Sequence, residues 1–468
     1  MQRANPDPYR QATSGSEADP VTTPLPVRLD RDSRTPLSVQ LADGVRRLAL
    51  DGTLVVGDRL PSTRALASEL GISRATVDTA WDQLRAEGWL EGRTGSGTWV
   101  SAGPEVARRQ AAPRATATPS PPLVPMDAGT PWRPTPLPRT TRAAWRRAWR
   151  SVTDATPPRG YDDPLGLPAL RTALAERIAR TRGLDVDPDD VLVTSGTTQG
   201  LRHVLTGLPP LPVGVEDPGY RAAVAVVLAS GRQVVDLPAA GPVGDLSGLA
   251  AVYVTPAHQH PLGHVMGADE RVRLLAEAER TGVLVIEDDY DSEFRYDVAP
   301  VPALAAMARG QVALLGTASK SVMPSLRLGW AVLPDGLRPT VDAFRALTHD
   351  TPPWAVQAAF AVMLRDGHVD AVVRAARRAY AERAPRVVAA LSPYAELAGP
   401  VAGMYSTWLL EEERAVAARK AAEEAGFRVN LLSTYCRSAG LSGLVVGFGG
   451  PDDAELDRAL DVLVRALR

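Results

Sequence analysis

Apolar positions along this chain change period from one region to the next, and each period predicts a different kind of element. In residues 60–100, LPSTRALASELGISRATVDTAWDQLRAEGWLEGRTGSGTWV, Leu66, Ala67 and Leu70 fall on one face of a short helix that Ser62 is suited to cap. Gly71 permits a tight turn, and Ser73 caps a second helix in which Val77, Trp81 and Leu84 repeat at helical spacing. Two helices joined by a Gly-containing turn predict a helix-turn-helix. After Gly88, short strands over 89–92 and 97–100 flank Arg93-Thr94-Gly95-Ser96-Gly97 and predict a hairpin wing with glycines at its tip. From about residue 125 the pattern alternates short apolar runs with amphipathic helices. The runs are 191–195, 213–216, 251–255, 283–287 and 312–316; the helices include 167–182 and 268–281. Such alternation predicts an α/β fold with a mainly parallel sheet covered on both faces. Residues 353–468 are helix-rich with a few strands and predict a smaller subdomain.

Composition adds boundaries. Residues 1–26 hold five prolines and little apolar content, which predicts a disordered tail, and 27–101 read as a globular domain. Residues 102–124 hold five prolines, six alanines and no aromatic residue, which predicts a semi-extended linker before a domain over 125–468. One cysteine, Cys436, excludes an internal disulfide framework and fits a reducing cytoplasm. No run approaches the length of a membrane span. The net charge of −2 gives no global signal for nucleic acid. Among 52 basic residues only Lys320 and Lys420 are lysine, so each invites the question of what arginine would fail to do there.

In a helix-turn-helix the second helix enters the major groove with its N-terminal residues nearest the bases. That places Ser73, Arg74 and Thr76 toward double-stranded DNA. Arg64 lies on the preceding helix within reach of a phosphate or a guanine edge. Gly95 and Gly97 let the wing approach the backbone, and Arg93 adds charge. Residues 27–101 carry ten arginines against ten acidic residues, so the case rests on placement, and a small protein-binding helical domain is the alternative.

Three patches in the large domain share one chemistry. In 313–330, ALLGTASKSVMPSLRLGW, Lys320 sits between two serines. A lysine amine condenses with an aldehyde and a guanidinium does not. Thr317, Ser319 and Arg327 suit a phosphate. In 283–294, VLVIEDDYDSEF, an apolar strand ends in acids; a buried carboxylate there can keep a pyridine nitrogen protonated, and Tyr290 points the same way two residues later. A calcium or magnesium site is the alternative for this run, but the spacing of a loop-type calcium site is missing, and no metal is expected. In 191–201, VLVTSGTTQGL, Thr197 and Thr198 begin a helix suited to an anion. Tyr220, after a Pro-Gly turn, offers a ring to stack on a flat cofactor.

The reader motif, LPSTRALASELGISRATV with the wing GRTGSGTWV, closely resembles the GntR superfamily, whose members regulate transcription as dimers. Arg64, Arg74, Thr76 and Gly97 match its DNA-contacting positions. The large domain resembles fold-type I pyridoxal-phosphate enzymes, specifically class I aminotransferases. That resemblance implies that Lys320 carries pyridoxal 5'-phosphate as a Schiff base, Asp288 pairs with the pyridine nitrogen, Tyr290 meets the phenolic oxygen and Tyr220 stacks on the ring. Thr197, Thr198, Thr317, Ser319 and Arg327 would hold the phosphate, and Tyr161 would reach the neighbouring cofactor across a dimer. The usual N-P-x-G asparagine is missing from Thr255–Gly263, where His258 or His260 takes its space. The strand at 444–448 has Val445 where a substrate-carboxylate arginine is expected, with Arg437 or Arg221 as possible replacements. The two halves together resemble the MocR family of bacterial regulators. The family implies a head-to-tail homodimer, which the linker length would let exchange reader domains, with an aminotransferase-like domain that is not expected to turn over substrate as its main role. The missing arginine favours pyridoxal phosphate itself as the effector, in control of vitamin B6 metabolism. An amino-acid or amine effector is the rival, and an active aminotransferase the third reading.

Overall fold

Capping serines and a left-handed glycine set the geometry of the N-terminal unit. The computed structural model describes residues 25–93, 97–102, 123–134, 136–296 and 302–468, in two units, Met1–Pro119 and Ser120–Arg468. In the first, α1 (Leu37–Leu50), α2 (Thr63–Leu70) and α3 (Arg74–Ala86) precede a hairpin of β1 (Leu90–Arg93) and β2 (Gly97–Val100). The Ser62 and Ser73 hydroxyls accept the amides of Ala65 and Thr76, at 3.2 and 3.1 Å, so each helix begins on a satisfied first turn. Gly71 closes α2 at φ 62°, a conformation that glycine adopts without the Cβ penalty. Val77, Trp81 and Leu84 are fully buried against Leu41, Val45 and Leu66. Leu25, inside the expected tail, is also buried in this core, because an apolar side chain with a face to cover gains by packing there. Residues 1–24 and 103–122 lie outside the described residues, and with them nearly all of the expected tail and linker. The linker's expected last residue, Val124, begins a strand instead.

The second unit runs β3 (Val124–Met126), α4 (Arg139–Thr153), α5 (Pro168–Arg182), β4 (Val191–Thr194), α6 (Thr197–Thr206), β5 (Val213–Asp217), α7 (Arg221–Ala229), β6 (Val234–Pro238), β7 (Ala251–Val254), α8 (Ala268–Thr281), β8 (Leu284–Asp289) and β9 (Val312–Thr317). It continues with β10 (Gly329–Val332), α9 (Arg338–Thr348), α10 (Trp354–Arg365), α11 (His368–Leu391), β11 (Glu396–Leu397), β12 (Tyr405–Leu409), α12 (Glu412–Glu424), β13 (Phe427–Leu431), β14 (Gly443–Gly447) and α13 (Asp453–Leu467). Seven strands form one sheet in the order β4-β10-β9-β8-β7-β5-β6, parallel except for β10, which opposes both neighbours. Alternate residues serve separate cores: Val252, Val285, Val312 and Leu314 face one, while Tyr253, Ile286, Ala313 and Leu315 face the other. That two-sided burial is why these strands read as unbroken apolar runs. Gly316 sits opposite Trp330 on β10, where a Cβ would come within 2.3 Å of the indole. A second sheet, β11-β12-β14-β13-β3, carries the C-terminal subdomain and recruits β3 from the domain's start, parallel to β13.

The parallel strands deliver their C-terminal ends to one edge of the large sheet, the usual place for a ligand in such sheets. The N-terminal unit has its own core, and Trp81 is its largest buried side chain. Trp81→Ala should cost that unit about 3–5 kcal/mol. In urea unfolding followed by circular dichroism, its transition should move to lower urea while that of the larger unit stays in place. A single transition moving as a whole would show that the units do not unfold independently.

Candidate functional site

A cavity of about 700 Å³ opens at that sheet edge. Its wall includes Gly196, Thr197, Thr198, Tyr220, Asp288, Tyr290, Thr317, Ser319, Lys320 and Arg327, so nine of the eleven cofactor-contacting residues expected from sequence converge on it. Lys320 follows β9, and its Nζ donates to the Gly129 carbonyl at 2.6 Å. Burial lowers its pKa, against the pull of Asp291, Asp127 and Asp288, which favours the neutral, nucleophilic amine.

Strand alternation sorts the acids at the end of β8. Glu287 turns away from the cavity and accepts the Ala305 amide at 3.1 Å, and Asp289 pairs with Arg182 at 2.6 Å. Asp288 faces the cavity. Its Oδ2 accepts the Tyr253 hydroxyl, and its buried Oδ1 has no hydrogen-bond partner among the described residues. Burial pushes the Asp288 carboxyl up to about 7, and the neighbouring Asp289 adds to that, although the Tyr253 hydroxyl opposes it. Asp291 meets His258, so the acidic run is dispersed; among the described residues no group of three or more His, Cys, Asp or Glu is placed to hold a metal ion.

The opposite end of the cavity suits an anion. Gly196 stands at φ 111° before α6, and the first turn presents Thr197 and Thr198. The Arg327 guanidinium lies 3.6 Å from where a Cβ on Gly196 would be, and no carboxylate pairs with it among the described residues. Thr317 Oγ1 and Ser319 Oγ are 2.9 Å apart beside it. A guanidinium without an acid among the described residues, a helix N-terminus and two hydroxyl pairs are the kinds of group that can hold an anion such as a phosphate.

Other expected residues fall elsewhere. His258 does not line the cavity: it is buried behind Tyr290, with Nδ1 2.6 Å from Asp291 Oδ2. The Tyr290 hydroxyl donates to the His258 carbonyl at 3.0 Å and lies 2.8 Å from the Tyr405 hydroxyl. His260 is the histidine on the wall, and burial pushes it down to about 3, hence neutral. Tyr161 is 81% exposed, stacked on His349 at 3.8 Å, and is not on this chain's cavity wall. Val445 is buried in β14. Arg437 is occupied by Asp236 at 2.5 Å and the Val215 carbonyl at 2.9 Å, whereas Arg221 does line the wall. Sequence reasoning missed Asp127, Arg428, Asn430 and Tyr435, which complete the wall. Arg428 and Asn430 alternate along β13 in FRVNL, a polar pattern whose direction is set only by the pairing of β13 with β3 and β14.

On the N-terminal unit, Arg64 is exposed and Arg74 is 69% exposed, held only by Asp78 at 3.5 Å. The Ser73 hydroxyl is engaged in capping and lies 2.8 Å from Thr76 Oγ1, so it orients the start of α3. Gly97 has φ 111° and packs against Arg59, whose guanidinium lies over the Trp99 ring at 5.8 Å. Arg59 is a wing cation that the motif did not single out. Arg93 ends β1, and Gly95 lies outside the described residues.

The description "Bacterial regulatory proteins, gntR family" matches residues 37–100, and "Aminotransferase class I and II" matches 133–463. The HTH-type pyridoxine biosynthesis transcriptional regulator PdxR of Corynebacterium glutamicum is 33% identical over 92% of this chain and 96% of its own length. The probable rhizopine catabolism regulatory protein MocR of Rhizobium meliloti is 34% identical over 93% of this chain and 94% of its own. Among solved structures, an archaeal alanine:glyoxylate aminotransferase superposes with a TM-score of 0.67 at 23% identity, covering 74% of this chain and 90% of that one. This last likeness concerns the fold alone.

The open carboxyl of Asp288 sets a stability cost with a definite pH signature. A folded pKa of about 7 against an ordinary 3.8 means the folded chain binds the extra proton between those values. Stability from this group is therefore lost as pH rises from about 4 to 7. In the cofactor-free protein, Asp288→Asn should raise the melting temperature at pH 8 and leave it little changed near pH 4. An equal effect at both pH values would count against a raised Asp288.

Proposed function

The chain belongs to the family of transcriptional regulators that join a gntR-type DNA-binding domain to a class I and II aminotransferase-type domain, and on that premise we propose that it binds pyridoxal 5'-phosphate at Lys320 and lets that ligand govern its hold on a double-stranded DNA operator. One observation carries the reading. Three complementary groups share one cavity: an amine whose pKa burial lowers and, among the described residues, a carboxyl oxygen without a donor and a guanidinium without an acid. When bound, this cofactor supplies an aldehyde for the amine and a pyridine ring that acts as an electron sink. In this reading Asp288 receives the ring nitrogen, Tyr220 covers a ring face and Tyr290 lies toward the phenolic oxygen. Thr197, Thr198, Thr317, Ser319 and Arg327 take the phosphate. His258 acts through Tyr290, which it orients from behind.

The same reading assigns operator contacts to Arg64, Arg74 and Thr76, with the wing residues Arg93, Gly95 and Gly97 at the backbone and Ser73 setting the helix start. A head-to-tail homodimer in the cytoplasm follows the family pattern. Tyr161, exposed and away from its own cavity, supports a role in completing the site of a second copy. Pyridoxal phosphate as the signal, in control of vitamin B6 metabolism, draws support from buried Val445 in place of a carboxylate anchor and from the Corynebacterium relative, a regulator of pyridoxine biosynthesis. The competing reading, an amino-acid or amine effector, has Arg221 on the cavity wall as its best support.

Lys320→Arg should abolish the visible absorbance of the protein-bound cofactor and leave the far-ultraviolet circular dichroism unchanged. A persisting band would remove the central assignment. For the reader, a duplex selected from a random pool provides the probe. Arg74→Ala should weaken binding roughly tenfold to a hundredfold, the loss expected of a base contact. An unchanged affinity would take α3 out of the groove.

A further inference from the structure

We propose that Asp127 is a built-in carboxylate that occupies Arg428 and thereby closes the substrate side of the cavity to free amino acids. The inference rests on the pyridoxal phosphate reading and says which ligands that site refuses. Arg428 NH2 lies 2.9 Å from Asp127 Oδ2, with the acid 17% exposed and both residues on the cavity wall. The other oxygen, Oδ1, accepts the Gly129 amide and the Thr130 hydroxyl, both at 2.9 Å. Burial alone would push the Asp127 carboxyl up, yet Arg428, Thr130 and the Gly129 amide together hold it below its ordinary value.

The position is telling. Val445, where an anchoring arginine is expected, pairs across the ladder with Asn430, and Arg428 lies two residues along the same strand. The cavity thus retains a cation near the missing anchor, and its partner is internal. A tethered carboxylate competes at an effective concentration of the order of millimolar or more. It is also already oriented, so it loses little entropy on pairing. Arg428 is itself 55% exposed and meets Asp127 through NH2, so an incoming carboxylate must displace Asp127 or share the guanidinium with a neighbouring negative charge. Arg221, also exposed, is the other arginine on this side of the wall.

Asp127→Asn keeps an acceptor for Gly129 and Thr130 but frees the guanidinium. The first measurement is calorimetric titration of glutarate into the cofactor-free chain. We expect Asp127→Asn to bind at least tenfold more tightly than the wild type, and the double variant Asp127→Asn/Arg428→Gln to lose the gain. The second uses cofactor-loaded chains and reads absorbance during addition of L-glutamate, L-alanine or 4-aminobutyrate. Asp127→Asn should respond at concentrations at least tenfold below any response of the wild type. Asp127→Ser is made in parallel, so that a fold lost in one variant leaves the other to decide. Equal glutarate affinity in wild type and variant, or a gain that survives removal of Arg428, overturns the proposal. A wild type that takes up no cofactor while the glutarate result holds would instead sink the cofactor reading alone.

Discussion

An oxygen of Asp288, buried at the end of a central strand and without a hydrogen-bond partner of ordinary geometry among the described residues, is the constraint on which the large unit depends. Burying a carboxylate without a full set of donors is costly, and here burial pushes its pKa up to about 7. The fold meets part of that cost through the Tyr253 hydroxyl from the adjacent strand, and Thr197 at the start of α6 also holds the carboxyl down. The flanking acids are diverted, Glu287 to the Ala305 amide and Asp289 to Arg182. A strand that carries three consecutive acids is stable because alternation sends them to opposite faces with separate partners. Each of the three keeps one buried oxygen without a partner among the described residues, and Asp288 is the one that faces the cavity, which Arg327 also lines. Strain of this kind collects where a ligand is meant to supply the missing half.

Selectivity within the cavity follows from where charge is satisfied and where it is not. At the end proposed for the phosphate, Arg327 has no acid among the described residues, and glycine at 196 lets its guanidinium approach the start of α6. At the far end, Arg428 already holds Asp127. An enzyme of the aminotransferase type needs binding energy at both ends, because the substrate's carboxylate positions the reacting carbon. In the proposed reading, a cavity with its free guanidinium at one end only would hold a cofactor by its phosphate and give a second reactant less to bind.

Much of this was legible in the sequence because two-sided burial and capping leave local marks. The helix expected over 268–281 is found there, and the strand runs lie within a residue or two of those expected. Lys320 stood out because arginine supplies nearly every other cation in the chain. What stayed hidden depends on non-local pairing. β3 has too few residues to show a period and belongs to a sheet whose other strands lie almost 300 residues away in the chain. Once it pairs with β13, Asp127 meets Arg428, and neither residue has a motif to mark it. His258 and His260 sit two apart in TPAHQHPLG, and only the fold shows that the second reaches the wall while the first pairs with Asp291.

Asp127 and Gly129 tie both ends of the cavity to one short segment. Lys320 donates to the Gly129 carbonyl and Arg428 holds the Asp127 carboxylate, so two basic side chains from different parts of the fold grip residues only two apart. A ligand that engages the lysine amine withdraws one of these grips. A ligand alters an equilibrium only through a difference in its interactions with two states, and the fate of this hydrogen bond is such a difference. The segment directly follows β3, and β3 follows residues 103–122, the stretch of chain that connects the two units. The covalent path from the cavity to the N-terminal unit therefore starts beside these two contacts. In the proposed reading, a cofactor on Lys320 would withdraw the first contact, an amino-acid carboxylate competing for Arg428 would disturb the second, and Asp127 on Arg428 would keep the two events separate.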